Sequence, residues 1–106
     1  MIEIRGYVDE SGRRCFAVWF EGLDAPAAAR VTIALTRMER GNFLNAKAVG
    51  AGVFEYRIDF GPGYRIYFGK DGERLIILVG GGTKKRQQKD IDTAQARWAD
   101  YKRRKT

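Results

Sequence analysis

The run from Val53 to Thr83 constrains this fold more than any other stretch. From Val53 to Phe60 the chain alternates at period two. Phe54, Tyr56, Ile58 and Phe60 fall on one face, and Glu55, Arg57 and Asp59 on the other. Gly61-Pro62-Gly63 interrupts the pattern. Tyr64 to Phe68 then alternates again, with Tyr64, Ile66 and Phe68 set against Arg65 and Tyr67. Asp71-Gly72 is a two-residue hairpin signal. Arg74 to Val79 reads as a third strand, apolar on both faces and therefore central.

Matching apolar faces predicts a register. A three-residue loop at Gly61 to Gly63 pairs Phe60 with Tyr64, Ile58 with Ile66, and Tyr56 with Phe68. A turn at Asp71-Gly72 pairs Phe68 with Leu75, Ile66 with Ile77, and Tyr64 with Val79. One face is then wholly apolar. The other sets Arg57 opposite Tyr67 and Asp59 opposite Arg65, with Arg57 and Arg65 as diagonal neighbours.

The rest of the chain supplies helices around this sheet. Ile2, Ile4, Gly6 and Val8 alternate with polar residues as a short edge strand. Phe16, Trp19, Phe20 and Leu23 give a short amphipathic helix from about Arg14 to Gly22, with a buried strand over Cys15 to Phe20 as the second reading. Asp24 caps a second helix that carries Pro26 in its first turn and runs to about Arg40. Its apolar positions are Ala28, Val31, Leu35 and Met38. Phe43 to Gly52 is expected to be irregular. After Gly80-Gly81-Gly82, Thr83 can cap a last helix with Ile91, Ala94, Trp98 and Tyr101 on its apolar stripe. Lys102 to Lys105 is expected to fray. The expected class is α+β: a β-α-α-β-β-β-α order, an antiparallel sheet, and helices on one face. Residues 1–106 are read as one domain.

Composition narrows the chemistry. The chain has no histidine, so catalysis by Ser-His-Asp or Cys-His and zinc held by histidine are excluded. One cysteine, Cys15, precludes an internal disulfide and points to a reducing, cytoplasmic setting. The first residues include Glu3 and Arg5 with no apolar stretch, so no signal peptide is expected. The net charge is +7, and residues 84–106 hold nine basic and three acidic residues, a local excess of +6. Either that segment meets a polyanion or it is a solvated basic helix.

The ordered motifs resemble the RelE/ParE superfamily of bacterial toxins, and within it the phage-derived, HigB-like addiction-module killer branch. The motifs are Phe16-x-x-Trp19-Phe20-x-x-Leu23, Gly41-Asn42-Phe43, Lys47-x-Val49-Gly50-x-Gly52-Val53 and Glu55-x-Arg57-Ile58. They continue with Gly61-Pro62-Gly63-Tyr64-Arg65-Ile66-Tyr67 and Gly81-Gly82-x-Lys84-x-x-Gln87-x-x-Asp90-Ile91-x-x-Ala94. The chain departs from the branch at Leu44-Asn45 and at Thr83 to Gln87, where it adds positive charge at a helix start. The resemblance implies a RelE-like fold and a toxin neutralised by a cognate antitoxin. It implies either of two activities: metal-independent cleavage of messenger RNA on the ribosome, or non-enzymatic poisoning of DNA gyrase. No cofactor and no metal are expected.

Cleavage without a metal uses the RNA 2′-hydroxyl as nucleophile. The protein must remove its proton, hold charge on phosphorus and protonate the leaving oxygen. Arg65 is the candidate for the phosphorus charge, since its planar fork matches phosphate oxygens. Arg57 and Lys84 are its expected neighbours, and Lys47 is carried by the resembling motif. The base is either a lysine among cations or Glu55. Tyr67 either donates a proton or stacks on a nucleotide base. The plain alternatives are an Arg65–Asp59 ion pair, a solvent-facing Glu55, Tyr67 packed on Ile76, and a glycine run that only turns the chain. A partner antitoxin is expected to lay an acidic or amphipathic segment over the basic surface.

Overall fold

The computed structural model describes residues 1–105. It is an α+β fold built on a five-stranded mixed sheet with three α-helices. In chain order the elements are β1 (Glu3–Gly6), α1 (Cys15–Glu21), α2 (Ala25–Glu39), β2 (Ala46–Ala48), β3 (Val53–Ile58), β4 (Tyr64–Lys70), β5 (Leu75–Thr83) and α3 (Gln87–Lys105), with a 3₁₀ turn at Lys84–Arg86. The sheet order is β1-β5-β4-β3-β2. β1 runs parallel to β5, and every other pairing is antiparallel. The sheet is therefore mixed, and the wholly antiparallel expectation is corrected.

Local chemistry sets the helix starts. Asp24 accepts from the Ala27 N–H at 2.9 Å and caps α2, with a proline in the first turn. Val31, Ala34 and Met38 turn inward from α2, and Phe16 from α1, onto Tyr56, Ile58, Ile66, Phe68, Ile76 and Leu78. The second core lies on the other side of the sheet. There Ala94 and Trp98 of α3 cover Val53, Tyr67, Ile77 and Val79. Helices thus pack on both faces, not one. Each strand of the middle is buried twice, so the face opposite the first core is no solvent face.

The registers differ from expectation in two ways. Ile58, not Phe60, pairs with Tyr64, and Asp59 to Gly63 form a five-residue loop. That is a slip of two residues, so each side chain keeps its face. It sets Arg57 directly opposite Arg65, and it moves Asp59 into the loop, 3.5 Å from Arg57 Nε. At the next hairpin Phe68 pairs with Leu78, not Leu75, and the turn holds four residues, with the Asp71 N–H donating to the Leu75 carbonyl at 2.8 Å. A slip of three is odd and exchanges the faces. Ile76 and Leu78 therefore join the α1–α2 core, and Ile77 and Val79 lie under α3.

Gly80, Gly81 and Gly82 are strand residues of β5, opposite Tyr67, Ile66 and Arg65. They do not turn the chain. A β-bulge between the Tyr67 and Phe68 pairings shifts the phase, so Val79 and Gly80 both face α3. Each glycine makes room for a neighbour. A methyl at Gly81 would overlap the Trp19 ring, one at Gly82 would overlap Asp90, and one at Gly80 would lie 3.0 Å from Arg97 Nη1. Phe43 to Gly52 is also more ordered than expected: Ala46–Ala48 adds the edge strand β2. Thr83 makes no side-chain cap bond.

Lys102 to Lys105 continue α3, because its end is tied down. Tyr7 Oη donates to Asp100 Oδ2 and Tyr101 Oη to Asp71 Oδ2, each at 2.6 Å. Lys105 Nζ meets Asp71 Oδ1 at 2.5 Å. Hydrogen bonds from Lys105 and Tyr101 hold the Asp71 carboxyl below its usual range, and the bond from Tyr7 does the same for Asp100. Burial, then the bond to Asp71, pushes Tyr101 up to about 12.

These ties predict the pH limits of stability. A lowered carboxyl stabilises the fold above the ordinary value of 3.8, and that contribution disappears as pH falls through the folded value. A raised phenol stabilises below the ordinary value of 10.0 and is lost as pH rises toward 12. Asp71→Asn should flatten the acid side of a melting-temperature profile, and Tyr101→Phe the alkaline side. Independently, Gly81→Ala should cost about 1–3 kcal/mol by overpacking against Trp19. In denaturant melts the overlap cost should appear for Gly81→Ala and not for Gly72→Ala, where nothing lies near the added methyl and only the positive φ of 77° is strained.

Candidate active site

Strand pairing builds the site. Lys47 of β2 lies opposite Glu55 of β3, Glu55 opposite Tyr67 of β4, and Tyr67 opposite Gly80 of β5. These four positions form one row across the sheet on the α3 side. The adjoining row holds Arg57, Arg65 and Gly82. Alternation along each strand places the two rows on one face.

Glu55 is the centre. It is only 1% exposed. Tyr67 Oη donates to its Oε2 at 3.1 Å, and Gln87 Nε2 donates to the same oxygen at 2.9 Å. Its Oε1 lies 3.7 Å from Arg65 Nε and 4.0 Å from Lys47 Nζ. The last two are charge contacts rather than hydrogen bonds. Burying a carboxylate is costly unless donors and cations surround it, and here two donors and two cations do. The solvent-facing reading of Glu55 does not hold.

Arg65 is 5% exposed and spans two neighbours. Its Nη1 donates to the Gly63 carbonyl at 2.7 Å, while its Nε is buried with no hydrogen-bond partner among the described residues. Its charge partner is Glu55, not Asp59. Lys84 joins from the other side of Gly63: its N–H donates to the same carbonyl at 2.9 Å, and its side chain is exposed. Tyr67 is fully buried and packs with Ile77 and Val79, not Ile76. Burial and the Glu55 charge raise its phenol far above the ordinary range, so it stays a proton donor to Glu55. No face of its ring is open to stack on a nucleotide base.

The opening to this cluster is a cleft of about 250 Å³. Lys47, Glu55, Arg57, Asn45 and Asp59 line it, with Leu44 and Ala46. The side chains of Lys47 and Arg57 are 67% and 60% exposed and stand at its mouth. The larger concavity of about 520 Å³, around Met1, Ile2, Glu39, Arg40, Glu73 and Arg74, lies at the opposite end of β1 and β5 and holds none of the six residues singled out in the sequence. All six residues singled out in the sequence sit in or beside the cluster. Gln87 was missing from that set. Its signal was positional: it lies three residues after Lys84, at the start of α3, which crosses this face.

The family model for "Phage derived protein Gp49-like (DUF891)" matches residues 18–99. An uncharacterized protein of Haemophilus influenzae is 41% identical over 81 residues, which cover 76% of this chain and 82% of that protein.

Burial changes what truncating Arg65 should do. Removing one partner of a buried pair costs up to about 3–5 kcal/mol. Arg65→Ala should therefore lower the urea midpoint, and Glu55→Gln should soften that loss. A double-mutant cycle should give a coupling of about 0.5–3 kcal/mol between the two positions. Strict additivity would show that the 3.7 Å contact contributes nothing.

Proposed function

The chain belongs to the Gp49-like phage-derived protein family, a toxin–antitoxin-associated family related to RelE-type toxins, and from that premise we propose that it is the toxin of such a module. Its activity is metal-independent cleavage of messenger RNA on the ribosome, and its partner is a cognate antitoxin. The observation that carries this reading is a buried carboxylate, Glu55, on the floor of a cleft whose mouth is lined by Lys47 and Arg57.

The chemistry follows from the types of group. Glu55 takes the proton of the 2′-hydroxyl, and the new bond from that oxygen to phosphorus forms as the bond to the 5′-oxygen breaks. Arg57 and Lys47 hold the charge that grows on the phosphoryl oxygens. The leaving 5′-oxygen takes a proton from the Lys47 ammonium. The products are a 2′,3′-cyclic phosphate and a free 5′-hydroxyl. Tyr67 and Gln87 both donate to Oε2 of Glu55, which leaves Oε1 with the two cations. Arg65 acts as a positioning residue for Glu55, and Lys84 extends the cationic surface toward the message.

Arg57→Ala separates activity from folding. Arg57 is mainly exposed and pairs with the exposed Asp59, so Arg57→Ala should melt within about 0.5 kcal/mol of the parent. Lys47→Ala also removes a cation beside the buried Glu55 and should melt lower, by less than Arg65→Ala. Losing one donor to a transition-state oxyanion costs about 10²–10³ in rate. Cleavage of a message on translating ribosomes should fall by that factor in each. Full cleavage by both variants would remove the cleft from the mechanism. Intact messages, together with inhibited supercoiling by DNA gyrase, would favour the gyrase reading.

A further inference from the structure

β1 is shorter than the strand it pairs with. It ends at Gly6, opposite Leu78, while β5 runs on to Thr83. From Gly80 to Thr83, β5 has β4 on one side and no strand on the other. Alternation along the antiparallel β4–β5 ladder turns the peptide groups of Gly80 and Gly82 toward β4, and those of Gly81 and Thr83 toward the open side. Gly80 and Gly81 at the start of this open edge floor a groove of about 380 Å³ between α1 and α3.

The two walls differ in chemistry. The α1 wall, on the Gly81 side, presents Trp19 and the 46%-exposed Val18. The α3 side, above Gly80 and Gly82, presents Arg97 and Asp90, with Arg86 beside them, and Arg13 lies at the groove as well. Arg97 uses one nitrogen on the Val79 carbonyl, at 2.9 Å. Arg13 and Arg86 form no ion pair among the described residues. Asp90 offsets one of the three guanidinium charges, so the groove keeps an excess of two.

We propose that this groove is a docking site for an extended segment of a partner protein, added as a strand to β5 at Gly80 to Thr83. Strand addition supplies backbone bonds to the Gly81 and Thr83 peptides and sends alternate side chains to opposite walls. The segment that fits alternates acidic and apolar residues: acidic toward Arg86 and Arg97, apolar toward Trp19 and Val18. The glycines favour this mode, since no β5 side chain stands over the edge at Gly80 to Gly82. The groove is on the β1 side of the sheet, whereas the cleft opens on the β2 side. Binding and cleavage are therefore separate readouts.

The probe is a fluorescein-labelled eight-residue peptide alternating glutamate and valine, titrated by anisotropy with hydrogen exchange read in parallel. Expected are saturable binding that weakens with salt and slowed exchange at the Gly81 and Thr83 amides. Arg86→Glu should weaken binding about tenfold or more, a loss of about one charge pair. A lysine–valine peptide should fail, and so should the glutamate–valine peptide with alternate backbone nitrogens methylated. No binding up to millimolar peptide, equal binding of the lysine or methylated forms, or protection elsewhere in the chain would each overturn the proposal.

Discussion

The structure depends on a strand that must be covered on both faces. Ile76 and Leu78 point one way from β5, and Ile77 and Val79 the other, and all four are buried. No one-sided arrangement satisfies that. α1 and α2 close one side and α3 the other, and the loop geometries follow. The glycines just beyond extend the same demand at smaller scale: Trp19 enters over one, Asp90 and Arg97 over its neighbours.

Two-sided cover also creates the conditions for the candidate site. The row Lys47–Glu55–Tyr67 would be an ordinary solvated stripe on an open sheet. With α3 laid across it, Glu55 and Tyr67 lose water, and Gln87 arrives from the helix to satisfy the carboxylate. The same cover sets Arg65 beside Glu55 with one nitrogen left without a hydrogen bond. Lys47 and Arg57 escape burial because β2 is a short edge strand. Exposed cations beside a buried carboxylate are thus a product of sheet position, not of any one motif.

Much of this was legible in the residues, for physical reasons. The α2 start follows from Asp24 and the proline after it, and the α3 stripe from Ala94 and Trp98 at helical spacing. The period-two pattern of β3 and β4 assigned their faces correctly, even though the loop was two residues longer than expected. β5 was different. A strand apolar on both faces has no pattern to distinguish its sides, so an odd slip went unseen and inverted them. That inversion hid α3's side of the sheet, and with it the burial of Glu55 and its tie to Gln87. The parallel pairing of β1 leaves no local signal, since it depends on where α1 and α2 return the chain.

The bulge at Val79 divides β5 into two halves read in opposite phase. Residues before it answer to the two apolar cores, while residues after it answer to Trp19, Asp90 and Arg97. The break uncouples them as substrates for change. The two halves can therefore change independently, but neither freely: the first must keep fitting two apolar cores, and the second can gain bulk only in concert with the side chains that already fill the space over its glycines.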